Sequence, residues 1–577
     1  WVDYGAPLNK GVMPRYIGDN DSTQIIYMGN DSLQTAAFNG NGWTESNIAL
    51  GDFEFLATAA SGSSRYILSV PDFPIVEENT NENALVYSGF SSTWSSLGPV
   101  ADSGWGHFYR LALDSKGVPY ALYERMDTSF GTDTTSHSVS SLVAVRYNST
   151  QAKWELAGSL PVFENDSTPP LLKDGGVSDS SVTDADIVLG PDNHLYVAYI
   201  GSLLSMRNFI DDSSVAMPRF VIVKRLFESD ESKVGREIWA GPKLIQDSGS
   251  TEMLPNYLGD ILALDSLPIM RARRVKLASD GVNLYLAIVQ NLDNDSLMDK
   301  TALSVFKGVY TNSMEDGLNQ KILKFEPLLD TSVKQSVFSS SLAEEQRIVA
   351  YLNDSDPFDF VVKNGIPYIS FANSNNNDRL SVVRYSGNRW LSVGNPAFAS
   401  AAQGLAESDL AIGKNGTPAV VFRESKNSKN TKRRNHIVPM KYVSANDYDL
   451  TLSSIGLSGG NTTLVSEFRQ YILNYSAKVL ATENALLFSP VPKTLNDVIA
   501  LQIENNDSLI SSWIISPSSS EATRYLSGVN ANFTGTSVPS MAVPLSEGLN
   551  DIKVKITGKN GSVLYYTFIL NRAYLPD

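Results

Sequence analysis

The 577-residue chain contains no cysteine and only four histidines. The absence of cysteine excludes disulfides, cysteine-ligated zinc, iron–sulfur clusters and thiol nucleophiles. The histidines, at positions His107, His137, His194 and His436, do not occur at the spacing of a metal-binding motif. No apolar run approaches the ~20 residues that a transmembrane helix needs. The sequence therefore predicts no metal site, no cofactor and no membrane span.

Basic residues are also scarce. The chain has 46 Lys and Arg against 62 Asp and Glu, which gives a net charge of −16. This balance argues against nucleic acid as a partner, because phosphate binding needs a dense basic surface. Hydrophobic residues make up 42% of the chain, enough for several buried cores, and the length favours two or more domains. The composition predicts a folded, β-rich protein and does not identify a reaction.

Three sequence elements recur in a fixed order through the first three quarters of the chain. The first is a tight turn followed by an alternating strand, at 117–123, 193–199, 281–288, 365–371 and 416–422. The second is a strand that ends in a basic–aromatic pair, clearest at 142–148 and 380–386. The third is a tryptophan that opens a short strand, at Trp43, Trp94, Trp154, Trp239 and Trp390. Short strands joined by tight turns in repeated units are typical of a β-propeller.

The repeat predicts an all-β fold with a seven-bladed propeller. The predicted units lie near 13–50, 51–100, 106–163, 183–245, 272–330, 357–398 and 407–445. The fifth unit has Phe325 where a tryptophan is expected, so six or eight blades remain alternatives. Residues 1–7 carry the third element alone, whereas the last unit lacks it. We therefore expect the N-terminal segment to supply the outer strand of the last blade and to close the ring, which removes exposed sheet edges.

The pattern changes after about residue 450. A Leu-Ser-Gly-rich segment at 452–461 precedes Phe468 and Tyr471, and a strand pair with an Asn-Gly turn at 560–561 spans 545–572. This part resembles the bacterial cadherin-like β-sandwich family, which implies an Ig-like sandwich that serves as an accessory module of extracellular proteins. The predicted domains are 1–447 for the propeller and 448–577 for the sandwich.

The repeat units resemble bacterial surface or periplasmic propellers. They are similar to sialidases in expected shape, but their hairpins keep the tryptophan and lack the aspartate of the repeated sialidase motif. The two resemblances imply a bacterial protein of the periplasm, the cell surface or the extracellular space.

Long connections fall mainly on one predicted face of the propeller, and binding sites concentrate in such loops. The loops are at 72–83, 125–140, 163–182, 201–217, 246–270, 330–356 and 424–435. The last of them contains a basic tract with Lys432, Arg433 and Arg434, a candidate for an acidic glycan or partner. A solvated loop explains the same tract.

Further candidate ligand-binding residues lie near the starts of the predicted inner strands. His107, Tyr109 and Arg110 stand at one entry between units, and Arg273 stands in a basic group at another. Acidic candidates near such starts include Asp356 and Asp359, together with Asp52, Asp184, Asp186 and Asp409. Carboxylates gathered there could bind a cation or perform glycoside chemistry. They could equally cap strand ends and hold the connections between units.

The leading function is non-catalytic recognition of a glycan or a protein by the long-loop face. One alternative is a carbohydrate-active hydrolase or lyase with its carboxylates in the central funnel. A third is a structural component of an envelope assembly. Enzymatic activity is therefore left open, with binding favoured.

Overall fold

The structure is a computed structural model, and the prediction of an all-β chain is confirmed. Its only described helical residues are Gln346 and Arg347. Among the described residues, no helix combines the length and the apolar composition required to cross a membrane. The structure describes residues 1–18, 24–29, 31–62, 64–71, 83–90, 93–100, 109–129, 137–158, 162, 182–202, 219–228, 237–240, 272–291, 301–315, 318–333, 346–352, 356–373, 379–400, 408–413, 415–424, 435–443, 450–458, 463–464, 468–493, 498–515, 522–526, 529–531, 540–559 and 563–573.

Up to residue 441 the described strands form seven antiparallel sheets, numbered here by the position of their first inner strand. Strand β1 (Val2–Asp3) belongs to the last of them. The next strands form sheets 1 to 4, four to a sheet: β2 (Val12–Ile17), β3 (Gln24–Met28), β4 (Ser32–Phe38), β5 (Trp43–Leu50); β6 (Phe53–Ser61), β7 (Ser64–Pro71), β8 (Leu85–Phe90), β9 (Thr93–Pro99); β10 (Tyr109–Leu113), β11 (Pro119–Ser129), β12 (His137–Asn148), β13 (Lys153–Leu156); β14 (Asp184–Leu189), β15 (Leu195–Ser202), β16 (Arg219–Phe227), β17 (Ile238–Ala240).

Sheets 5 and 6 each carry an additional short strand, and sheet 7 combines three late strands with β1. Their strands are β18 (Ala272–Ser279), β19 (Leu284–Asn291), β20 (Thr301–Glu315), β21 (Leu318–Pro327), β22 (Ile348–Leu352); β23 (Phe358–Lys363), β24 (Ile366–Asn373), β25 (Arg379–Tyr385), β26 (Trp390–Ser392), β27 (Ala399–Ser400); β28 (Ser408–Ile412), β29 (Pro418–Arg423), β30 (Ile437–Lys441). Four strands of each sheet follow the predicted repeat units closely.

The first strands of successive sheets contact one another in chain order. The contacts run from β2 through β6, β10, β14, β18 and β23 to β28, and β28 in turn contacts β2. Hydrophobic clusters lie between neighbouring sheets: Leu122 and Trp239 belong to one between sheets 3 and 4, and Tyr196 and Ile288 to another between sheets 4 and 5. Each buried Leu or Ile contributes about 1.5–3 kcal/mol of hydrophobic stabilisation. Packing between neighbouring sheets therefore stabilises this part of the fold.

The turns at the start of the first repeat element contain residues with the left-handed backbone conformation that Gly and Asn favour. The φ angles of Gly117, Asn193, Gly281 and Gly365 are +78°, +62°, +82° and +75°. Gly and Asn tolerate this left-handed conformation better than other residues, so the repeat of these residue types fixes where the first inner strand turns into the second.

The N-terminal segment pairs with the last strand of sheet 7. Val2 lies opposite Lys441 and Asp3 opposite Met440 in an antiparallel register. Further along, the amide of Leu8 donates to the carbonyl of Ile437 over 2.8 Å. This is the pairing expected from the repeat, and it joins the two ends of the seven-sheet region.

Tryptophans tie neighbouring sheets together at their outer strands. The indole Nε1–H of Trp239 in sheet 4 donates to the carbonyl of Ala157, which follows sheet 3, over 2.7 Å. Trp1 of sheet 7 makes the corresponding bond to Val393 beyond sheet 6, over 2.8 Å. Trp43 of sheet 1 donates to a carbonyl of the N-terminal segment, that of Tyr4. The repeated tryptophan is thus a hydrogen-bond donor between sheets as well as an apolar anchor.

The C-terminal part contains two facing sheets, one of three and one of eight strands in the described residues. Their strands are β31 (Leu452–Ser458), β32 (Thr463–Leu464), β33 (Asn474–Val479), β34 (Ala485–Pro492), β35 (Val498–Asn505), β36 (Ser508–Ile515), β37 (Ala522–Leu526), β38 (Val529–Ala531), β39 (Met541–Pro544), β40 (Gly548–Gly558), β41 (Val563–Arg572). Burial alternates along β40 and β41, as in strands with one covered face. The rings of Phe488 and Phe568 meet edge to face across the two sheets, with centroids 5.5 Å apart.

The C-terminal sheets share a continuous hydrophobic core with sheets 5 and 6. The Tyr471 hydroxyl donates to the carbonyl of Val349 over 2.8 Å, and the amide of Leu450 donates to Oδ1 of Asn395 over 3.0 Å. The predicted boundary at 447 and 448 and the predicted turn at 560–561 lie outside the described residues. The contacts nonetheless anchor the C-terminal sheets to the seven-sheet region.

The tryptophan ties give a matched test. Trp239→Phe replaces an indole that donates a buried hydrogen bond. Trp154→Phe replaces an indole whose Nε1 has no acceptor among the described residues, and the two side chains are similarly buried, with Trp154 8% and Trp239 7% exposed. We expect Trp239→Phe to lower the free energy of unfolding by about 1 kcal/mol more than Trp154→Phe, measured by urea denaturation. Equal losses would contradict the role of the indole donor.

Candidate functional site

The inner edge of each of the seven sheets is the edge of its first strand, where backbone N–H groups have no further strand to pair with. Two such groups in β18 are satisfied by carboxylates of β14. Oδ2 of Asp184 accepts the amide of Val275 over 2.9 Å, and Oδ2 of Asp186 accepts that of Leu277 over 2.8 Å. Because buried amides without partners cost free energy, these aspartates hold sheet 4 against sheet 5.

The same arrangement recurs two sheets further on. Oδ2 of Asp359 in β23 accepts the amide of Leu410 in β28 over 2.8 Å. Oδ2 of Asp409 in β28 accepts the amide of Tyr16 in β2 over 2.8 Å, although the two residues are 393 positions apart. In each case the carboxylate belongs to one sheet and the amide to the next, so the last bond links sheet 7 back to sheet 1.

Two cations of the inner strands neutralise part of this acidic cluster. Arg110 in β10 forms an ion pair with Asp184 at 2.8 Å and lies 3.7 Å from Asp186. Lys276 in β18 forms an ion pair with Asp359 in β23. These pairs also connect one sheet to the next. We call Asp184, Asp186, Asp359, Asp409, Arg110 and Lys276 the inner-strand cluster.

The environment shifts the pKa values of Asp359 and Asp409 in opposite directions. Burial, followed by repulsion from Asp359, raises the pKa of Asp409 to about 7, and Arg15 and Lys276 counteract this only in part. Burial also acts to raise the pKa of Asp359, but the attraction and hydrogen bond of Lys276 outweigh it and the pKa is lowered. Burial raises the pKa of Asp186 as well, against the opposing effect of Arg110. The pKa of Asp409 therefore lies close to neutral pH.

Among the candidates that the sequence offered, the structure brings Arg110, Asp184, Asp186, Asp359 and Asp409 into this cluster. Tyr109 is 4% exposed and packs with Phe55 and Tyr123, at ring-centroid distances of 5.2 and 6.2 Å. It is therefore part of an aromatic core between sheets 2 and 3.

The other predicted site residues lie elsewhere. Arg273 is exposed at an irregularity in the pairing of β18. Asp356 is buried, and its backbone carbonyl accepts Nη1 of Arg274 over 2.6 Å. His107, Lys432, Arg433 and Arg434 lie outside the described residues, as does most of the length of the predicted long loops.

The sequence interpretation missed Lys276. The basic group that contains Arg273 pointed to this strand, and an alternating pattern leads from Arg274 to Lys276 on one face. Both cations lie over the ring of Phe358, at 4.8 and 5.8 Å from its centroid. What the sequence could not supply was the partner, because Asp359 is 83 residues away.

The carboxylates of the inner-strand cluster accept hydrogen bonds from other groups of the protein. In the part of the chain that the structure describes, no group of three or more His, Asp or Glu residues could hold a metal ion. Both carboxylate oxygens of Asp184 accept hydrogen bonds within the protein, as do those of Asp186 and Asp359. These oxygens are used to join neighbouring strands.

No protein-family model matches the chain, and a comparison with curated proteins finds no match either. Solved structures with a similar arrangement include a sialidase of Trypanosoma rangeli in complex with sialic acid, with 9% identity and a TM-score of 0.32, over 98% of this chain and 87% of that one. A second is the β-propeller domain of the Trilobed protease from Pyrococcus furiosus, with 8% identity and a TM-score of 0.35, over 78% and 98%.

A third is an α-L-arabinanase of Penicillium chrysogenum complexed with arabinobiose, with 11% identity and a TM-score of 0.34, over 76% of this chain and 97% of that one. The structure is thus nearly all-β with propeller-like neighbours. At these identities and TM-scores the similarities carry no argument about activity.

The raised pKa of Asp409 predicts a pH-dependent stability. An unfolded Asp titrates near 3.9, so from about pH 4 to 7 the folded state binds more protons and this group makes stability fall as pH rises. Asp409→Asn keeps an oxygen acceptor for the amide of Tyr16 and removes the titration. We expect its stability relative to the unsubstituted protein to rise by more than about 1 kcal/mol between about pH 4.5 and 7.5, measured by urea denaturation.

The control is Asp52→Asn, an exposed aspartate just before β6. The two substitutions remove the same charge, so the control separates the effect of the Asp409 site from a general change in net charge. A constant effect of Asp409→Asn over this range would contradict the assignment of a near-neutral pKa to Asp409.

Proposed function

We propose that the seven sheets are the blades of a seven-bladed β-propeller and that the chain is a non-catalytic recognition protein. The cyclic contacts of the first strands and the pairing of β1 with β30 support the blade arrangement. The two facing C-terminal sheets fit a cadherin-like sandwich that carries or docks the propeller. Fold alone does not assign a function, so the functional part of the proposal rests on the inner-strand cluster.

The observation that carries the proposal is that both carboxylate oxygens of Asp184, Asp186 and Asp359 accept hydrogen bonds within the protein. A general acid, base or nucleophile has to reach the substrate with a free oxygen. Asp359 instead directs one oxygen to Lys276 and the other to the amide of Leu410. Asp184 and Asp186 are engaged in the same way. Recognition is therefore assigned to the long-loop face, with a glycan or a protein as partner, and the absence of cysteine fits a bacterial surface, extracellular or periplasmic setting.

A carbohydrate-active hydrolase or lyase is the second candidate, favoured by one specific observation. Asp359 repels Asp409, and the environments of the two residues shift their pKa values in opposite directions. Such a separation is a feature of acid–base pairs in glycoside hydrolysis. Binding is preferred because both oxygens of Asp359 are already used inside the protein.

Ligand-observed NMR of the intact protein against a panel of glycans separates these functions when product signals are followed over a day. We expect binding signals without products, and binding unchanged within about twofold in Asp409→Asn, because the substitution keeps the acceptor for Tyr16. Product formation that disappears in Asp409→Asn would replace this proposal with the hydrolytic one. Absence of both binding and products with every glycan would contradict the glycan part and leave a protein partner.

A further inference from the structure

Asn-Gly pairs are chemically labile positions of a polypeptide, and the structure describes four of them. They begin at Asn39, Asn41, Asn364 and Asn415, and a fifth pair, at 560–561, lies outside the described residues. The amide nitrogen of the glycine can attack Cγ of the asparagine, because glycine has no Cβ that hinders the approach. Nitrogen and Cγ then join in a succinimide ring and ammonia leaves. Water opens the ring and yields aspartate or isoaspartate.

Hydrogen bonds hold three of the four described pairs. Oδ1 of Asn39 accepts the amides of Asn41 and Gly42, each over 3.0 Å, so the Asn39 side chain is fixed. The same contact engages the Gly42 amide, which is the group that would attack Asn41. In the last of the four pairs the Gly416 amide donates to the carbonyl of Gly413 over 3.0 Å. In each case a hydrogen bond has to break before the succinimide can form.

The pair Asn364–Gly365 has no such hydrogen bond. Within the described residues, neither the Asn364 side chain nor the Gly365 amide has a hydrogen-bond partner. Both residues are exposed in the turn between β23 and β24. Apart from chain neighbours, the atom nearest to the position of a Cβ on Gly365 is Oδ2 of Asp280, at 3.6 Å. No neighbouring group is therefore close enough to prevent the Gly365 peptide from rotating toward the asparagine.

We propose that Asn364 is a site of spontaneous deamidation in the folded protein and that its conversion to isoaspartate loosens the contact between sheets 5 and 6. Isoaspartate carries the main chain through its Cγ, which adds one carbon atom to the backbone of this tight turn. The carbonyl of Gly365 accepts the hydroxyl of Tyr285 in sheet 5 over 3.4 Å. Lengthening the turn displaces that carbonyl, and the new carboxylate places a second negative charge near Asp280.

The chain contains a matched control for this site. The sequence Lys-Asn-Gly-x-Pro occurs at 363–367 in sheet 6 and at 414–418 in sheet 7, in equivalent turns of the repeat. Asn364 and Asn415 therefore have almost the same neighbours in sequence. The hydrogen bond of the Gly416 amide is what distinguishes the second turn. Differences in their rates of deamidation consequently report on the folded structure.

The test is peptide mapping by mass spectrometry after incubation of the intact protein in a mildly alkaline buffer. We expect Asn364 to deamidate about fivefold faster than Asn415, because breaking one hydrogen bond of ordinary net strength adds to the barrier at Asn415. Part of the product at Asn364 should be isoaspartate. Equal rates at the two sites, or a faster reaction at Asn415, would overturn the proposal.

A parallel incubation in concentrated urea separates structure from sequence. Unfolding removes the hydrogen bond of Gly416, so the two rates should then agree within about twofold. An excess at Asn364 that persists in the unfolded chain would contradict the structural explanation.

The predicted loosening is tested by urea denaturation before and after the incubation. The urea midpoint of the unsubstituted protein should fall, whereas that of Asn364→Gly should not change, because glycine tolerates the φ of +51° at this position and cannot form a succinimide. Asn364→Asp introduces the charge without lengthening the main chain and should cause a smaller loss than isoaspartate. An unchanged midpoint of the deamidated protein would overturn the effect on sheets 5 and 6.

Discussion

The seven-sheet region depends on how its inner strand edges are satisfied. The first strand of each sheet has one backbone edge without a further strand, and amides buried there need acceptors. Aspartates on the preceding inner strand supply them at Val275, Leu277, Leu410 and Tyr16. Each bond joins a side chain to one particular amide of the next strand. It therefore fixes how far one sheet is displaced along its strands relative to the next sheet, as well as the distance between them.

Burying several carboxylates near one another is costly unless cations and hydrogen bonds compensate. Arg110 and Lys276 provide the cations, each from the sheet that precedes its acidic partner. Compensation is incomplete at Asp409, where sheet 7 meets sheet 1, because burial and repulsion from Asp359 raise its pKa to about 7 despite Arg15 and Lys276.

A second set of hydrogen bonds joins neighbouring sheets at their outer strands. Trp1 and Trp43 flank the N-terminal strand, one donating to the carbonyl of Val393 and the other to that of Tyr4. Inner carboxylates and outer indoles thus both join sheet 6 to sheet 7 and sheet 7 to sheet 1. At Trp390 the indole donor has no acceptor among the described residues, and the ring packs instead against that of Tyr385, with centroids 5.3 Å apart.

The sequence by itself determined the strands and their grouping. Glycine and asparagine at the turns, alternating apolar residues and the repeated tryptophan are local properties, and they also revealed that the N-terminal segment completes the last sheet. The sequence likewise marked Asp184, Asp186, Asp359 and Asp409 as residues near the starts of inner strands, with structural and chemical roles both open. Only the tertiary structure decided that these carboxylates face the amides of the next sheet and that Lys276 pairs with Asp359. Those relations join residues from about 50 to nearly 400 positions apart, and no local pattern encodes which distant groups the packing of the sheets brings within hydrogen-bond distance.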